Sequence, residues 1–380
     1  MSWQTIPFHK FIALQRGFDL PRSKMKDGDV PVLGSNCIIG YHNEAKVDGP
    51  GVVTGRSGTL GLVQYAKVPY WPHNTALWVK DFKDNDPKFV YYKLETLNLE
   101  RFNGGVSVPT LNRNVLDTLK VKIPDQKIQR RVVSILSAYD DLLQNNRRRI
   151  QLLEQAAQFL YKEWFVHFRF PGHEHAKITD GVPEKWRKIS LGELCRLRAG
   201  DTFKPKYQGR LEGNLPFIKV RDLSREGNAI AITGADNWVT LDECEEFRGK
   251  PFSQGTSVFA KIGEGLRQNR VRLIVRDTLI DNNMMGAIPD QRVTVSEYLY
   301  FLLRGHDLAS YAGGAAVPFL SAKVLEGMDV FAPPMHLLLL FHDAVKPMFH
   351  QIVNLEQQSA AAVHVRDILL PRLMNGEIAI

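Results

Sequence analysis

Two long stretches of the chain carry apolar residues at alternating steps of three and four positions. The first runs from Gln126 to Phe168 without a proline or glycine, and the second runs from Met335 to Glu377. This spacing places side chains along one face of a helix, as in the seam of a coiled coil. We therefore predict two long α-helices that pack against each other. Their predicted seam residues are Ile128, Val132, Ile135, Tyr139, Leu142, Leu153 and Leu160 in the first helix, and Leu337, Phe341, Ala344, Met348, Leu355, Ala362 and Leu369 in the second.

The second half of the chain repeats the first. Residues 105–124 and 314–333 are identical at eight of twenty positions, and Trp3-Gln-Thr-Ile is echoed by Trp186-Arg-Lys-Ile. This repeat predicts an α+β protein with two α/β lobes related by internal duplication and separated by two long antiparallel helices. Each lobe is long enough to bury its own core. The predicted bounds are 1–125 for the first lobe, 126–168 for the first helix, 169–182 for a linker, 183–334 for the second lobe and 335–380 for the second helix.

The charge of the chain favours an acidic partner. The formal net charge is +8 and the sequence pI is near 9.2, with the basic excess spread over both lobes and the first helix. Nucleic acid is the first partner to consider for such a chain. No apolar run approaches the ~18 residues that span a bilayer, and the first residues do not read as a signal peptide. We therefore expect a cytoplasmic protein without a membrane partner.

A glycine-rich loop follows a β-branched strand in each lobe. The first lies at Gly49–Gly61, and the second follows Val258-Phe-Ala. Backbone N–H groups and basic side chains in such loops suit an anion, although a hairpin without a ligand has the same composition. Residues 68–79 are predicted to form paired strands around a turn at His73-Asn74. Asparagines in such turns can pair with adenine, but they more often serve the turn itself. The candidate DNA contacts are Ser35, Asn36, Arg56, Ser57, Thr59, Asn74, Asn112 and Arg113 in the first lobe, and Lys219, Arg221, Lys261, Arg267, Gln268, Arg270, Asn283 and Lys323 in the second.

Catalytic and metal motifs are not evident in the sequence. Ala332-Pro-Pro-Met335 lacks the amide or carboxylate and the aromatic ring with which an amino-methyltransferase holds its target amine. Cys37, Cys195 and Cys244 are too few and too scattered for a zinc site or a disulfide framework. We therefore expect neither a catalytic residue nor a metal site in this chain.

Three features together resemble the specificity (S) subunit of Type I restriction–modification enzymes. They are the duplicated lobe-and-helix order, the Val-Pro-x-Leu turn before each helix, and the segments that close the helices. The closing segments are Tyr161–Gly172 and Leu369–Ile378. The resemblance covers essentially the whole chain. One departure is Pro347 within the second helix, which removes a backbone donor and is expected to kink it.

The resemblance implies that each lobe reads one half of a split, asymmetric site in double-stranded DNA. It also implies that two methyltransferase (modification) subunits dock on the helices, which set the spacer, and that restriction/translocase subunits join the complex. Adenine methylation and DNA cleavage, with S-adenosylmethionine, ATP and Mg²⁺, would then belong to those partners, and this subunit would need no cofactor. Two alternatives remain from the residues alone: a coiled-coil scaffold without DNA readout, and an enzyme with a site between the duplicated lobes.

Overall fold

The computed structural model describes residues 3–105, 107–314 and 317–380, and the chain divides into two compact units. Unit 1 comprises Met1–Leu142 and Ala362–Ile380, and unit 2 comprises Leu143–Ala361. Each long helix therefore contributes one part to each unit. The predicted lobe bounds at residues 125 and 334 fall next to junctions where a strand gives way to a long helix.

Unit 1 is built from three small sheets and the helices that cover them. Its strands are β1 (Trp3–Pro7), β2 (Ala13–Arg16), β3 (Val30–Leu33), β4 (Ile38–His42), β5 (Gly51–Gly55), β6 (Val63–Ala66), β7 (Trp71–Pro72), β8 (Ala76–Asp81) and β9 (Lys120–Pro124). Its helices are α1 (Phe8–Phe11), α2 (Pro87–Thr96), α3 (Arg113–Leu116) and the first part of α4 (Gln126–Tyr161). The sheets have the strand orders β2-β8-β5-β6, β4-β3-β7 and β1-β9.

Unit 2 repeats this plan with additions. Its strands are β10 (Ile178–Thr179), β11 (Val182–Pro183), β12 (Arg187–Ser190), β13 (Cys195–Ala199), β14 (Leu215–Ile218), β15 (Ala231–Ile232), β16 (Trp238–Val239), β17 (Ser257–Ala260), β18 (Arg272–Ile274), β19 (Leu279–Ile280), β20 (Met284–Pro289) and β21 (Asp329–Ala332). Its helices are α5 (Leu191–Leu194), α6 (Leu241–Glu246), α7 (Gly263–Arg267), α8 (Ser296–Gly305), α9 (Ala322–Glu326) and most of α10 (Met335–Met374).

The two units share their strand pairing. The orders β2-β8-β5 and β4-β3-β7 of unit 1 reappear as β13-β20-β17 and β16-β14-β19 in unit 2, and β1-β9 reappears as β12-β21. Even the one parallel pair of each three-stranded sheet is kept, β3 with β7 and β14 with β19. A parallel pair needs a long crossover, so its presence twice indicates one ancestral fold used twice. We predicted that the segments on either side of His73-Asn74 pair with each other. That was wrong, because β7 and β8 join different sheets.

Both long helices form, with one difference at the end of the first. Helix α4 is α-helical from Gln126 to Tyr161 and continues as a π-helical turn over Lys162–Val166. Phe168, which has a left-handed φ of 59°, follows this turn. Helix α10 runs without interruption from Met335 to Met374, through Pro347. The exposed side of a long helix tolerates a missing N–H donor because water can satisfy the freed carbonyl.

The parts of α4 and α10 in unit 2 run antiparallel. The Asn146 amide donates to Ser359 Oγ at 3.3 Å, and further along α4 the ring centre of Tyr161 lies 6.3 Å from that of Phe341. Residue numbers therefore rise along α4 where they fall along α10. In unit 1, Arg366 Nη1 lies 3.5 Å from Asp140 Oδ1. Asn146 is almost fully buried, so its hydrogen bond to Ser359 satisfies a polar group that burial would otherwise penalise.

Part of the buried seam is shifted by one residue from the predicted seam positions. In α4 it follows two heptad rows, one of Gln129, Leu136, Leu143, Ile150 and Ala157, and one of Val132, Tyr139, Asn146, Leu153 and Leu160. In α10 the matching rows are Leu338, Val345 and Ile352, and Phe341, Met348, Leu355, Ala362 and Leu369. Every one of these positions is buried or half-buried, and the rows of the two helices keep the 209-residue offset of the internal repeat.

The predicted seam is therefore right for one row and wrong for part of the other. Leu142 is 41% exposed, Ala344 is exposed and Ile135 is only half-buried, whereas Ile128 and Leu337 are buried near the helix starts. The error has a simple cause. Ile135-Leu136 and Leu142-Leu143 are apolar doublets, so steps of three-then-four and four-then-three fit equally well. One residue corresponds to about 100° around the helix.

Candidate nucleic-acid interface

The glycine loop after β5 is held in place by backbone hydrogen bonds on both sides. The Arg56 N–H donates to Thr75 O at 2.9 Å, and Arg56 O accepts from the Leu111 N–H at 2.8 Å. The Gly58 N–H donates to Pro109 O at 3.0 Å. The loop is thus held between the turn after β7 and the strand-like segment before α3. These contacts fix the direction of the Arg56 side chain, whose Nε donates to the carbonyl of Asn74 at 2.9 Å.

A cleft of about 650 Å³ opens beside this loop and gathers three arginines, Arg16, Arg56 and Arg113. A single acidic residue, Asp19, lines the same cleft. Asp19 accepts from Arg16 at 3.3 Å and from the side-chain amide of Asn74. The three guanidinium groups give the cleft an excess of positive charge and a set of fork-shaped donors. Such donors suit phosphate oxygens and the acceptor edge of guanine.

Most of the residues predicted for unit 1 meet around this cleft. Arg56, Asn112 and Arg113 line it directly, and Asn74 joins it through Arg56 and Asp19. Ser57 pairs by a β-bridge with Thr110, another lining residue. Two others stand apart from the direct contacts, since Asn36 and Thr59 are simply exposed. Ser35 presents its backbone to the glycine loop, with its carbonyl oxygen 3.0 Å from where a Cβ on Gly55 would stand.

Asn112 also has a structural role, as the N-cap of α3. Its side chain accepts from the Asn114 N–H at 3.0 Å and caps the N-terminus of α3. Ser321 caps α9 in the same way, accepting from the Val324 N–H at 3.3 Å. Asn and Ser are both favoured at this position because their oxygen satisfies a free N–H of the first turn.

Unit 2 builds its loop with the same backbone hydrogen bonds. The Lys261 N–H donates to Asn283 O at 2.9 Å, Lys261 O accepts from Leu320 N–H at 2.9 Å, and the Gly263 N–H donates to Pro318 O at 3.0 Å. Lys261 therefore occupies the position of Arg56, and Asn283 that of Thr75. Asn283 is exposed, and its side chain is free to point away from the sheet.

The remaining residues predicted for unit 2 flank this loop. Arg267 and Gln268 lie at the end of α7, where each approaches Glu264, at 3.7 Å and 3.4 Å respectively. Arg270 follows them and is half-buried, and Lys323 is exposed on α9.

Lys219 and Arg221 follow β14, as Gly34 and Asn36 follow β3. The Lys219 ammonium donates to Gln208 Oε1 at 3.2 Å and lies 4.3 Å from the centre of the Phe203 ring, and Arg221 pairs with Asp236. The Lys219 N–H also donates to buried Asp222 at 2.7 Å. Burial raises the pKa of Asp222, against the lowering effect of the hydrogen bonds it accepts from the Lys219 and Asp236 N–H groups.

Gln15, Arg16, Asp19 and Thr110 line the cleft of unit 1 and were missed. A signal for the first three existed in the sequence. The sequence offset that relates Trp3 to Trp186 also relates Gly17 to Gly200. Both glycines follow a strand, and each lies close to a backbone carbonyl of the neighbouring turn. A glycine kept in both lobes at the end of a strand marks such a close approach. The residues around it therefore belong to the same edge as the glycine loop.

The histidine in the turn beside the cleft adds no charge to it. Burial lowers the pKa of His73, although the carbonyl of Leu20 and the carboxylate of Asp19 favour its charged form. Its Nδ1 lies 2.9 Å from Thr75 Oγ1. The imidazole therefore acts as a neutral hydrogen-bonding group that steadies the turn.

Within residues 3–105, 107–314 and 317–380, no group of three or more His, Cys, Asp and Glu side chains is placed to hold a metal ion. In the same part of the chain, no helix combines the length and the apolar character needed to cross a membrane.

Known proteins match this chain in sequence and in fold. Residues 5–155 match the family model described as the Type I restriction modification DNA specificity domain. The MjaIX specificity subunit of Methanocaldococcus jannaschii is 24% identical, over 96% of this chain and 91% of the relative. The HindI specificity subunit of Haemophilus influenzae is 21% identical, over 71% of each.

The crystal structure of the Type-I restriction-modification system S subunit from M. genitalium matches with a TM-score of 0.67 at 17% identity. It covers 98% of this chain and 96% of that one. This likeness shows a shared fold, so the predicted α+β class is confirmed. The predicted resemblance is confirmed as well: the chain is similar in sequence and in fold to the specificity subunits of Type I restriction–modification enzymes.

Proposed function

We propose that this chain is the DNA-recognition subunit of a Type I restriction–modification complex. One observation carries the proposal: two units with one backbone plan present a basic residue, Arg56 or Lys261, from the same hydrogen-bonded loop. A basic group held rigidly at a protein edge suits the phosphate backbone of duplex DNA. The relatives named above are specificity subunits, which supports the same role here.

In this proposal each unit reads one half of a bipartite site. The edges of the two units differ in side chains, so the two half-sites should differ in sequence. Base-edge contacts specify sequence, while phosphate contacts fix position. The Arg-rich cleft of unit 1 is well suited to guanine-containing sequence, because arginine pairs with O6 and N7 of guanine.

The helices α4 and α10 would dock two methyltransferase subunits and set the spacer between half-sites. Restriction/translocase subunits would complete the complex. Adenine methylation and DNA cleavage, and hence S-adenosylmethionine, ATP and Mg²⁺, would belong to those partners. The complex would act in the cytoplasm, where bacterial and archaeal DNA is accessible.

The salt dependence of DNA binding tests the proposal. The full chain in complex with its methyltransferase partner is titrated with a duplex at several salt concentrations. Arg56→Ala and Lys261→Ala should each weaken binding and lower the slope of log K against log salt by roughly one, because each removes one phosphate contact.

Two matched variants control for loss of charge alone. Lys83→Ala and Lys188→Ala each remove an exposed lysine that is paired with an aspartate, Asp81 at 2.7 Å and Asp329 at 2.8 Å. Both should leave the slope unchanged. Unaltered slopes for Arg56→Ala and Lys261→Ala would take the glycine loops out of the DNA interface.

A further inference from the structure

Phe319 lies beside the glycine loop of Lys261 in unit 2, in the position that Thr110 has in unit 1. The Gly313 N–H donates to Phe319 O at 3.0 Å, and the Leu320 N–H donates to Lys261 O at 2.9 Å. In unit 1 the Gly104 N–H donates to Thr110 O at 2.9 Å, and the Leu111 N–H donates to Arg56 O at 2.8 Å. Thr110 also bridges to Ser57, as Phe319 bridges to Ile262. The two backbones are the same here, and the side chains are not.

Phe319 is 46% exposed, which is costly for an aromatic residue in water. Its neighbour is the Lys261 ammonium, 5.5 Å from the ring centre. A cation over a ring is attracted to it, yet the ring does not neutralise the positive charge. The edge of unit 2 therefore offers an apolar surface and a cation side by side.

Thr110 offers a different surface in unit 1. Its hydroxyl donates to the carbonyl of Val108 at 3.0 Å, so it is engaged with its own loop. The groups around it are the arginines of the cleft. The two edges thus differ in kind: one is polar and rich in arginine, and the other joins a ring to a lysine.

We propose that Phe319 is a specificity-determining residue that contacts the C5-methyl group of a thymine in the half-site of unit 2. This inference rests on the proposed function. Thymine alone among the four bases presents a methyl group in the major groove, and apolar side chains recognise it by contact. Lys261 beside the ring holds a neighbouring phosphate, which keeps the ring over the groove. Unit 1 presents no aromatic ring at this place, because Thr110 stands where unit 2 has Phe319.

Removal of the methyl group from the DNA tests this directly. Each thymine of the recognised site is replaced in turn by deoxyuridine, and binding is measured for the full chain with its methyltransferase partner. One replacement, in the half-site of unit 2, should weaken wild-type binding about fourfold, as expected for one buried methyl group.

Variants of Phe319 then identify the residue responsible. Phe319→Ser removes the apolar surface, and it should bind thymine and deoxyuridine duplexes equally. Phe319→Leu keeps an apolar surface and should retain the preference for the methyl group. Thermal unfolding of each variant checks that the fold is intact, and Phe319→Asn takes the place of Phe319→Ser if the serine variant fails to fold.

Failure of this assignment can be distinguished from failure of the proposed function. A half-site of unit 2 without any T·A pair would overturn the assignment, and so would a deoxyuridine penalty that persists in Phe319→Ser. A variant that loses affinity equally for both duplexes would mean that the ring contacts something other than the methyl group, which also overturns it. Failure of the wild-type complex to bind the site at all would instead contradict the proposed function.

Discussion

Units 1 and 2 have one backbone plan but carry different side chains beside their glycine loops. Arg16 and Arg113 in the cleft of unit 1 correspond to Ala199 and Ala322 in unit 2. Lys261 replaces Arg56 at the glycine loop. The strand orders, the parallel pair of each three-stranded sheet and the caps of α3 and α9 are nevertheless kept.

The comparison distinguishes positions that hold the backbone from positions whose side chains are free to change. Positions that hold the backbone keep glycine, proline or a buried apolar residue, since each is needed to pack or to turn. Leu111 and Leu116 are buried, as are their counterparts Leu320 and Leu325. Positions at the edge are free to change, because a side chain that points outward costs the fold little. A duplicated frame can in this way present two unlike surfaces.

The shared frame should be the part most sensitive to mutation. Leu136→Ala removes a fully buried seam side chain and should lower the free energy of unfolding by about 2–5 kcal/mol, because it leaves a cavity. Leu142→Ala is the matched control, since it truncates the neighbouring exposed leucine and should cost less than about 1 kcal/mol. Urea denaturation measures both. Equal losses would mean that the buried heptad rows are misassigned.

A buried acid makes unit 2 sensitive to pH. Glu356, on α10, accepts from the Ala229 N–H at 2.8 Å, and burial raises its pKa from 4.5 to about 8. The Ala229 N–H and Arg272 act against this rise, and the nearby Glu154 adds to it.

The sign of its contribution follows from linkage. The folded state keeps the proton that the unfolded state loses above pH 4.5, so this group destabilises the fold progressively from about pH 4.5 to about pH 8. Glu356→Gln should therefore gain stability relative to wild type across that range, by up to about 5 kcal/mol, and the gain should level off above it. Denaturation midpoints at pH 5, 6.5 and 8 check this. A constant difference at all three values would contradict the prediction.

The arginines specific to unit 1 should matter less than the frame but in a measurable way. Arg16→Ala with Arg113→Ala should reduce the salt slope of duplex binding by about two, because two phosphate contacts are lost. Changing the corresponding Ala199 and Ala322 to serine should leave the slope as it is, since neither residue carries charge. A double arginine variant with the wild-type slope would show that neither arginine contacts a phosphate.

The sequence predicted the architecture well because the signals for it are long. Two heptad patterns and a repeat over some twenty residues gave the helices, the duplication and the fold class. The exact buried face of the first helix could not be predicted. Apolar doublets such as Leu142-Leu143 fit two helix rotations that differ by about 100°. The pairing of β7 was missed for a related reason: a two-residue strand carries too little pattern to reveal its sheet.

The candidate site was predicted in part. Arg56 and Lys261 stood out because each follows a strand next to glycine, and the structure gives them the same backbone contacts. Arg16 and Asp19 did not, since they reach the cleft from the end of β2, far from the glycine loop in sequence. Phe319 was hidden as well, because a lone phenylalanine after a proline is usually a core residue. Its exposure became visible only with the fold.

The proposed function requires that each unit reads its own half-site on a shared backbone frame. An exchange of residues 1–125 for the matching lobe of a relative tests it most directly. The exchanged chain is expressed with its partner subunits, and methylated adenines are mapped in the genome by single-molecule sequencing. One half of the methylated motif should change and the other half should stay the same. If both halves change together, the two units read DNA jointly, and the claim is wrong.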